Sequence, residues 1–271
     1  MIWEFFIPIF IIVLVGFPHG AVDGVLILRV AGKSLLRAGI IFTGYVLIAL
    51  ITVLIWIAEP NAGLAILIVL SVYHFGRLDT SHSSEIPHRY LRGFVLGALP
   101  VVVISQAHQM EVEYLFRTIV TKEVDLLVSA LRVFTFFWAA LIFWLAIVRR
   151  VFPMPQLFEI AALSFVLILL PPLWGFAFYF CAIHSFRHFK SLRNSIFPIS
   201  QVGWCVVGAL TIISIFLVVF GLTWFANVEL HKSLVQSTFI VLAALTMPHM
   251  ILIDGYQILN KLGQDARPPK D

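Results

Sequence analysis

Charge is what this chain has least of. Lys, Arg, Asp and Glu together make up 12% of its 271 residues, about half the share of a soluble globular domain. That scarcity excludes an ordinary water-covered surface. Cysteine is almost missing as well. Cys181 and Cys205 stand far apart inside apolar runs, so there is neither a CxxC pair nor a disulfide framework, and both read as small core residues. The opening MIWEFFIPIFIIVLVG lacks a basic stretch and an A-x-A site. It reads as a retained first helix and not as a cleaved signal peptide. A pI of about 9.2 does not imply nucleic acid here, because the positive charges sit in short links between apolar runs, where membrane topology explains them.

What the chain has in excess is apolar length. Hydrophobic residues make up 61% of it and the mean hydropathy is +1.02. Runs of about 18 or more apolar residues read as transmembrane helices. The expectation is an all-α, polytopic integral membrane bundle of eight or nine spans. One domain covers residues 1–258, and 259–271 form a solvated tail. The apolar segments fall near 2–28, 36–58, 61–76, 92–108, 125–148, 157–170, 173–189, 200–225 and 234–256. The sixth and seventh are short and meet at Pro171-Pro172.

Lys and Arg alternate between the links. Arg29, Lys33, Arg37, Arg77, Arg89, Arg92, Arg149, Arg150, Arg187, Lys190, Arg193, Lys261, Arg267 and Lys270 fall on one side. Only Arg117, Lys122 and Lys232 fall in the links of the other, with Arg132 near the outer start of the fifth segment. The positive-inside rule then puts the N-terminus outside and the C-terminus in the cytoplasm. The alternation is cleanest with nine segments, the Pro171-Pro172 corner being an outer turn.

Against this background the histidines stand out. His82 and His88 lie in a polar loop, and His108 and His231 at outer edges, where solvated or interfacial roles suffice. The other five do not fit that description. His19 (GFPHGAVDG), His74 (YHFGRLD), His184 and His188 (AIHSFRHF) and His249 (TMPHMILIDG) all lie in odd-numbered segments, near the inner end. Ionisable groups inside a membrane are costly and usually functional. His184 and His188 are four apart, so they share a helix face about 6 Å apart, the spacing by which one helix supplies two metal ligands. Five imidazoles at one depth point to a metal site for iron, copper, nickel or zinc. Asp23, Asp79 and Asp254 follow three of these histidines. Each is a candidate to hold the outer nitrogen of a ligating ring, the alternative being a helix-end charge paired with an inner arginine. Pro18 and Pro248 precede their histidines and loosen the helix locally.

Four separated blocks carry a resemblance to a known family. GFPHGAVD (16–23), HFGRLD (74–79), YFCAIHSFRHF (179–189) and LAALTMPHMILID (242–254) resemble, in order, the bacterial Brp/Blh-type β-carotene 15,15′-dioxygenases. The resemblance implies a membrane-embedded, non-haem iron enzyme that uses O2 to cleave the central double bond of β-carotene into two all-trans-retinal. It implies Fe(2+) on His19, His74, His184 and His188, with His249 beside the metal or on the substrate side. It implies a multi-pass protein of the cell inner membrane, whose retinal leaves through the lipid bilayer or is handed to a rhodopsin. The chemistry asks for no protein nucleophile, and Ser185 and Ser191 have no triad partners. A polyene must be placed by shape. Phe75, Tyr179, Phe180, Phe186 and Phe189 flank the histidines and are the candidate tunnel walls.

Two other classes use histidine-rich membrane helices. Hydroxylases and desaturases with two irons need about eight histidines in clustered pairs, and this chain has one such pair. A haem or metal transport protein would place paired histidines on opposed helices, or polar groups along a whole path. Here the outer half has almost none.

Overall fold

The computed structural model describes residues 2–80, 88–120, 122–149, 151–225 and 229–265. Among these the chain is helical and has no strand. The helices are α1 (Trp3–Ala31), α2 (Leu35–Ala58), α3 (Pro60–Thr80), α4 (Arg89–Ala107), α5 (Gln109–Val120), α6 (Asp125–Val148), α7 (Met154–Leu169), α8 (172–196), α9 (Gln201–Trp224) and α10 (Leu230–Asp265). The protein is an α-helical polytopic membrane protein. Among the described residues, seven helices are long and apolar enough to cross a bilayer: α1, α2, α3, α4, α6, α9 and α10. α7 is apolar but has only 16 residues, about 24 Å at 1.5 Å per residue, short of the roughly 30 Å hydrocarbon core. α8 is apolar only in its first half. All nine segments expected from the sequence are therefore helices, and two of them fall short of a full apolar span.

Local chemistry sets the breaks. Gly32, at φ +63°, ends α1 in a conformation that favours glycine. Ser34 caps α2 by accepting from the Arg37 N–H, and Ser200 caps α9 by accepting from that of Gly203. Pro171 ends α7 and Pro172 opens α8, where its missing N–H costs nothing. Two features escape hydropathy. α5 is an amphipathic helix lying in what reads as an outer loop. Arg117 on it holds Glu113 (3.1 Å), Glu123 (2.5 Å) and Asp125 (2.7 Å). α10 continues to Asp265, well into the segment read as a tail, because no proline interrupts it before Pro268. Residues 266–271 lie outside the described residues.

The bundle has an inside and a lipid side. About half of the spanning windows of α1, α4 and α10 is buried, against 11–17% for α2, α6 and α9. Phe136, Phe137, Ile212 and Phe216 on the outer helices are exposed and apolar, as a lipid-facing surface must be. α3 and α4 make the closest backbone approach. Gly93 and Gly97 are spaced as a small-xxx-small pair. A Cβ on Gly97 would sit 1.9 Å from the Val72 carbonyl oxygen, and one on Gly76 would sit 1.9 Å from that of Gly93. Both obstacles are backbone, so no rotamer relieves them. Gly97→Ala is expected to push α3 and α4 apart and cost about 1–3 kcal/mol, read as a lower unfolding midpoint in detergent. Gly39→Ala, with nothing within 4 Å of its Cβ, should match or exceed the parent. Equal midpoints for the two variants would refute this packing account.

Candidate metal centre

Four helices deliver the five singled-out histidines to one place: α1 brings His19, α3 His74, α8 His184 and His188, and α10 His249. Two helical irregularities precede them. A π-helical turn covers Ile12–Gly16, just ahead of Pro18 and His19, and another covers Phe178–His184. Such turns change which way the following side chains point and recur at functional sites.

The rings form a tight group. His19, His184, His74 and His249 make a closed circuit, with centroids 5.6, 4.7, 5.0 and 5.5 Å apart in turn. His188 lies against all four, at 4.8 Å from His249, 5.4 Å from His19, 5.9 Å from His74 and 6.0 Å from His184. His74, His188 and His249 each bring a ring nitrogen to within 4.8 Å of the other two. That trio includes His249, which the resemblance leaves off the ligand set.

Hydrogen bonds fix how two of the rings face. His19 Nδ1 bonds the Gly16 carbonyl oxygen. A carbonyl only accepts, so Nδ1 carries the proton and Nε2 keeps its lone pair. His249 Nδ1 donates to both carboxylate oxygens of Asp23, at 2.9 and 2.8 Å, again leaving Nε2 as the free donor to a metal. Tyr45 Oη donates to the same carboxylate at 2.9 Å. Asp23 therefore serves His249 and not the nearer-in-sequence His19.

A metal fits these residues. Nε2 of His74, His184, His188 and His249 is buried and has no hydrogen-bond partner among the described residues. An unpaired buried polar atom costs roughly 1–3 kcal/mol. Four of them in one cluster of rings is a cost that a bound cation relieves. The donor set is all imidazole, which suits iron, copper, nickel or zinc. The chamber has a volume of about 40 Å³ and is lined by His19, His74 and His249 with Phe17, Leu67, Phe75, Phe176, Phe180 and Leu242. It has room for an ion and a small molecule. One cluster of five histidines also fits one metal better than two.

The remaining candidates separate. Phe75 and Phe180 line the chamber, the first with its ring 4.6 Å from that of His184. Tyr179 is buried against Phe75 at 5.0 Å and lines a different, polar cleft with Glu159 and Arg187. Phe186 and Phe189 are exposed, at 68% and 39%. Phe186 falls two residues from both histidines of α8, on the opposite side of the helix, so neither phenylalanine walls the chamber. Among the described residues Asp254 binds no histidine. It pairs with Arg77 and accepts from Tyr73 Oη at 2.8 Å, which is the helix-end alternative. The side chain of Asp79 lies outside the described residues. Ser185 Oγ donates to the Phe180 carbonyl at 2.8 Å and Ser191 Oγ to that of His188 at 2.8 Å, so both hydroxyls are committed to backbone. Sequence reasoning missed Tyr45 and Phe176. Neither neighbours a histidine in the chain, and only packing brings them in.

Comparison with known proteins adds a family. The profile described as beta-carotene 15,15′-dioxygenase matches residues 10–257. A curated beta-carotene 15,15′-dioxygenase from uncultured marine bacterium 66A03 is 32% identical over 260 residues, 90% of this chain and 90% of that protein. No solved structure matches. The family match runs through all four helices that carry the histidines, and the chain belongs to the β-carotene 15,15′-dioxygenase family of enzymes.

Proposed function

We propose that this protein uses O2 to cleave the central double bond of β-carotene into two retinal molecules, at a ferrous iron held by the histidine cluster. The observation that carries the reading is the clustering of five imidazoles, four with buried Nε2 atoms that have no partner among the described residues, beside an apolar chamber that three of them line, in a chain of this family. His74, His188 and His249 would hold the metal, with His19 and His184 completing the set. Bound there, iron would supply the site at which O2 is activated for attack on the alkene.

The chain's own residues do the rest by placement. Gly16 and Asp23 lock the tautomers of His19 and His249, so both rings present a lone pair without rearrangement. Phe75, Phe176 and Phe180, with Phe17, Leu67 and Leu242, keep water from the chamber and give an apolar polyene hydrocarbon contacts. No side chain needs to move a proton. One C=C and one O2 become two C=O groups, and the balance closes without reductant, nucleophile or acid. That agrees with hydroxyls tied to backbone at Ser185 and Ser191. The charge asymmetry of the links supports an inner-membrane protein with its N-terminus outside and the histidines in the cytoplasmic half.

The test is metal analysis of detergent-purified protein, joined to an anaerobic-to-aerobic assay with β-carotene. The expected result is about one iron per chain, and retinal only after O2 is admitted. Chelation should abolish turnover and Fe(2+) restore it. Cleavage that persists in the fully chelated protein would refute the metal-dependent reading.

A further inference from the structure

We propose that the apolar cavity between α3, α4, α5 and the start of α8 seats one cyclic half of the carotenoid, and that its wall on α5 fixes which double bond faces the histidines. The proposal rests on the dioxygenase reading above. This cavity, of about 120 Å³, shares Leu67, Ser71, Phe75 and Phe176 with the histidine chamber, so the two are adjoining parts of one space. Along α3 its lining runs Phe75, Ser71, Leu67 and Leu64. These positions form one helical stripe. It extends about 16 Å from the histidine end, at 1.5 Å per residue, comparable to half of an extended carotenoid.

The cavity is built for an apolar guest. Its lining is almost wholly hydrocarbon, and the Ser105 hydroxyl is spent on the Val102 carbonyl at 3.1 Å. No charged side chain lines it to recognise a polar headgroup or an ion. A polyene without polar handles is located only by where its end stops. The stop is α5, through Phe116 and Ile119. α5 is held firmly for that task. Arg117 ties it to Glu123 and Asp125 at the head of α6, and Gln236 of α10 donates to the Thr118 carbonyl at 2.7 Å. The amphipathic helix that hydropathy overlooks thus becomes the end wall that measures the substrate. The wall sets the distance from ring to cleaved bond, so cleavage falls at the centre.

The test pairs two substitutions at opposite ends of the effect. Phe116→Ala deepens the cavity, and Ser105→Phe fills it. In Phe116→Ala the polyene slides further in, and apocarotenals longer than retinal are expected beside retinal, each with its shorter partner aldehyde. In Ser105→Phe, β-carotene binding to the metal-free protein under argon, followed by its visible absorption, is expected to weaken about tenfold or more, the scale at which a pocket rejects a misfit of this kind. Iron content should stay at the parental level in both. Retinal as the sole product of Phe116→Ala, with parental binding in Ser105→Phe, would overturn the cavity assignment while leaving the dioxygenase reading intact. A parent protein that binds no carotenoid would overturn both.

Discussion

His188→Ala is expected to empty the metal centre and abolish retinal formation. His188 is the one ring in contact with each of the other four, and its Nε2 is buried with no partner among the described residues. Removing it takes away a ligand and opens a void at the middle of the group. Loss of a mere outer-shell partner costs 10–100-fold in metal affinity or activity, and loss of the central ligand should exceed that. Iron is expected to fall from about one per chain to near none. The fold should survive, since alanine favours helix and the substitution removes an unpaired buried nitrogen. Helix content and unfolding midpoint in detergent check the fold, and metal analysis checks the site. His184→Ala should behave alike. A folded His188→Ala protein that keeps its full iron would sink the assignment.

Asp23→Ala is expected to weaken Fe(2+) binding about 10–100-fold, the usual cost of an outer-shell partner, although Asp23 reaches no part of the chamber except through His249. Its carboxylate accepts the His249 Nδ1 proton and the Tyr45 hydroxyl. Without it the ring is free to turn or to change tautomer. It also leaves the Tyr45 hydroxyl without its closer partner. Asp23→Asn keeps an acceptor oxygen at the same place and should lose less, and Tyr45→Phe less again. Competition with a coloured chelator measures all three. The same titration on His249→Ala decides between two roles for that residue. A fall in affinity makes it a ligand, as its closeness to His74 and His188 supports. Turnover lost at unchanged affinity returns it to the substrate side. Asp23→Ala with parental affinity would refute the positioning role.

Much of the architecture was legible because hydropathy is a local property. Apolar runs read one after another locate the helices, and the five inner histidines stand out against residues that cannot ionise. α5 was not legible, since at 12 residues, with Glu111, Glu113 and Arg117, its composition is that of a loop. The lengths of α7 and α8 were visible, yet whether each makes a full crossing depends on packing at the Pro171-Pro172 corner. The tunnel candidates show the limit of adjacency. Phe180, four residues before His184, shares its face and lines the chamber, whereas Phe186, two residues after, faces away.

The sequence by itself determined the class of protein, the apolar helical segments, the family and the set of histidines. Each of these follows from composition, periodicity or a short block read along the chain. Only the tertiary structure decided which groups meet. It paired Asp23 with His249 across 226 residues and not with His19, gave Asp254 to Arg77 and Tyr73, and closed the end of the apolar cavity with α5. Partners so far apart in the chain leave no local signal. They are chosen by how the helices pack, where the glycines of α3 and α4 let two backbones touch and a buried carboxylate is held by the donors that packing brings to it.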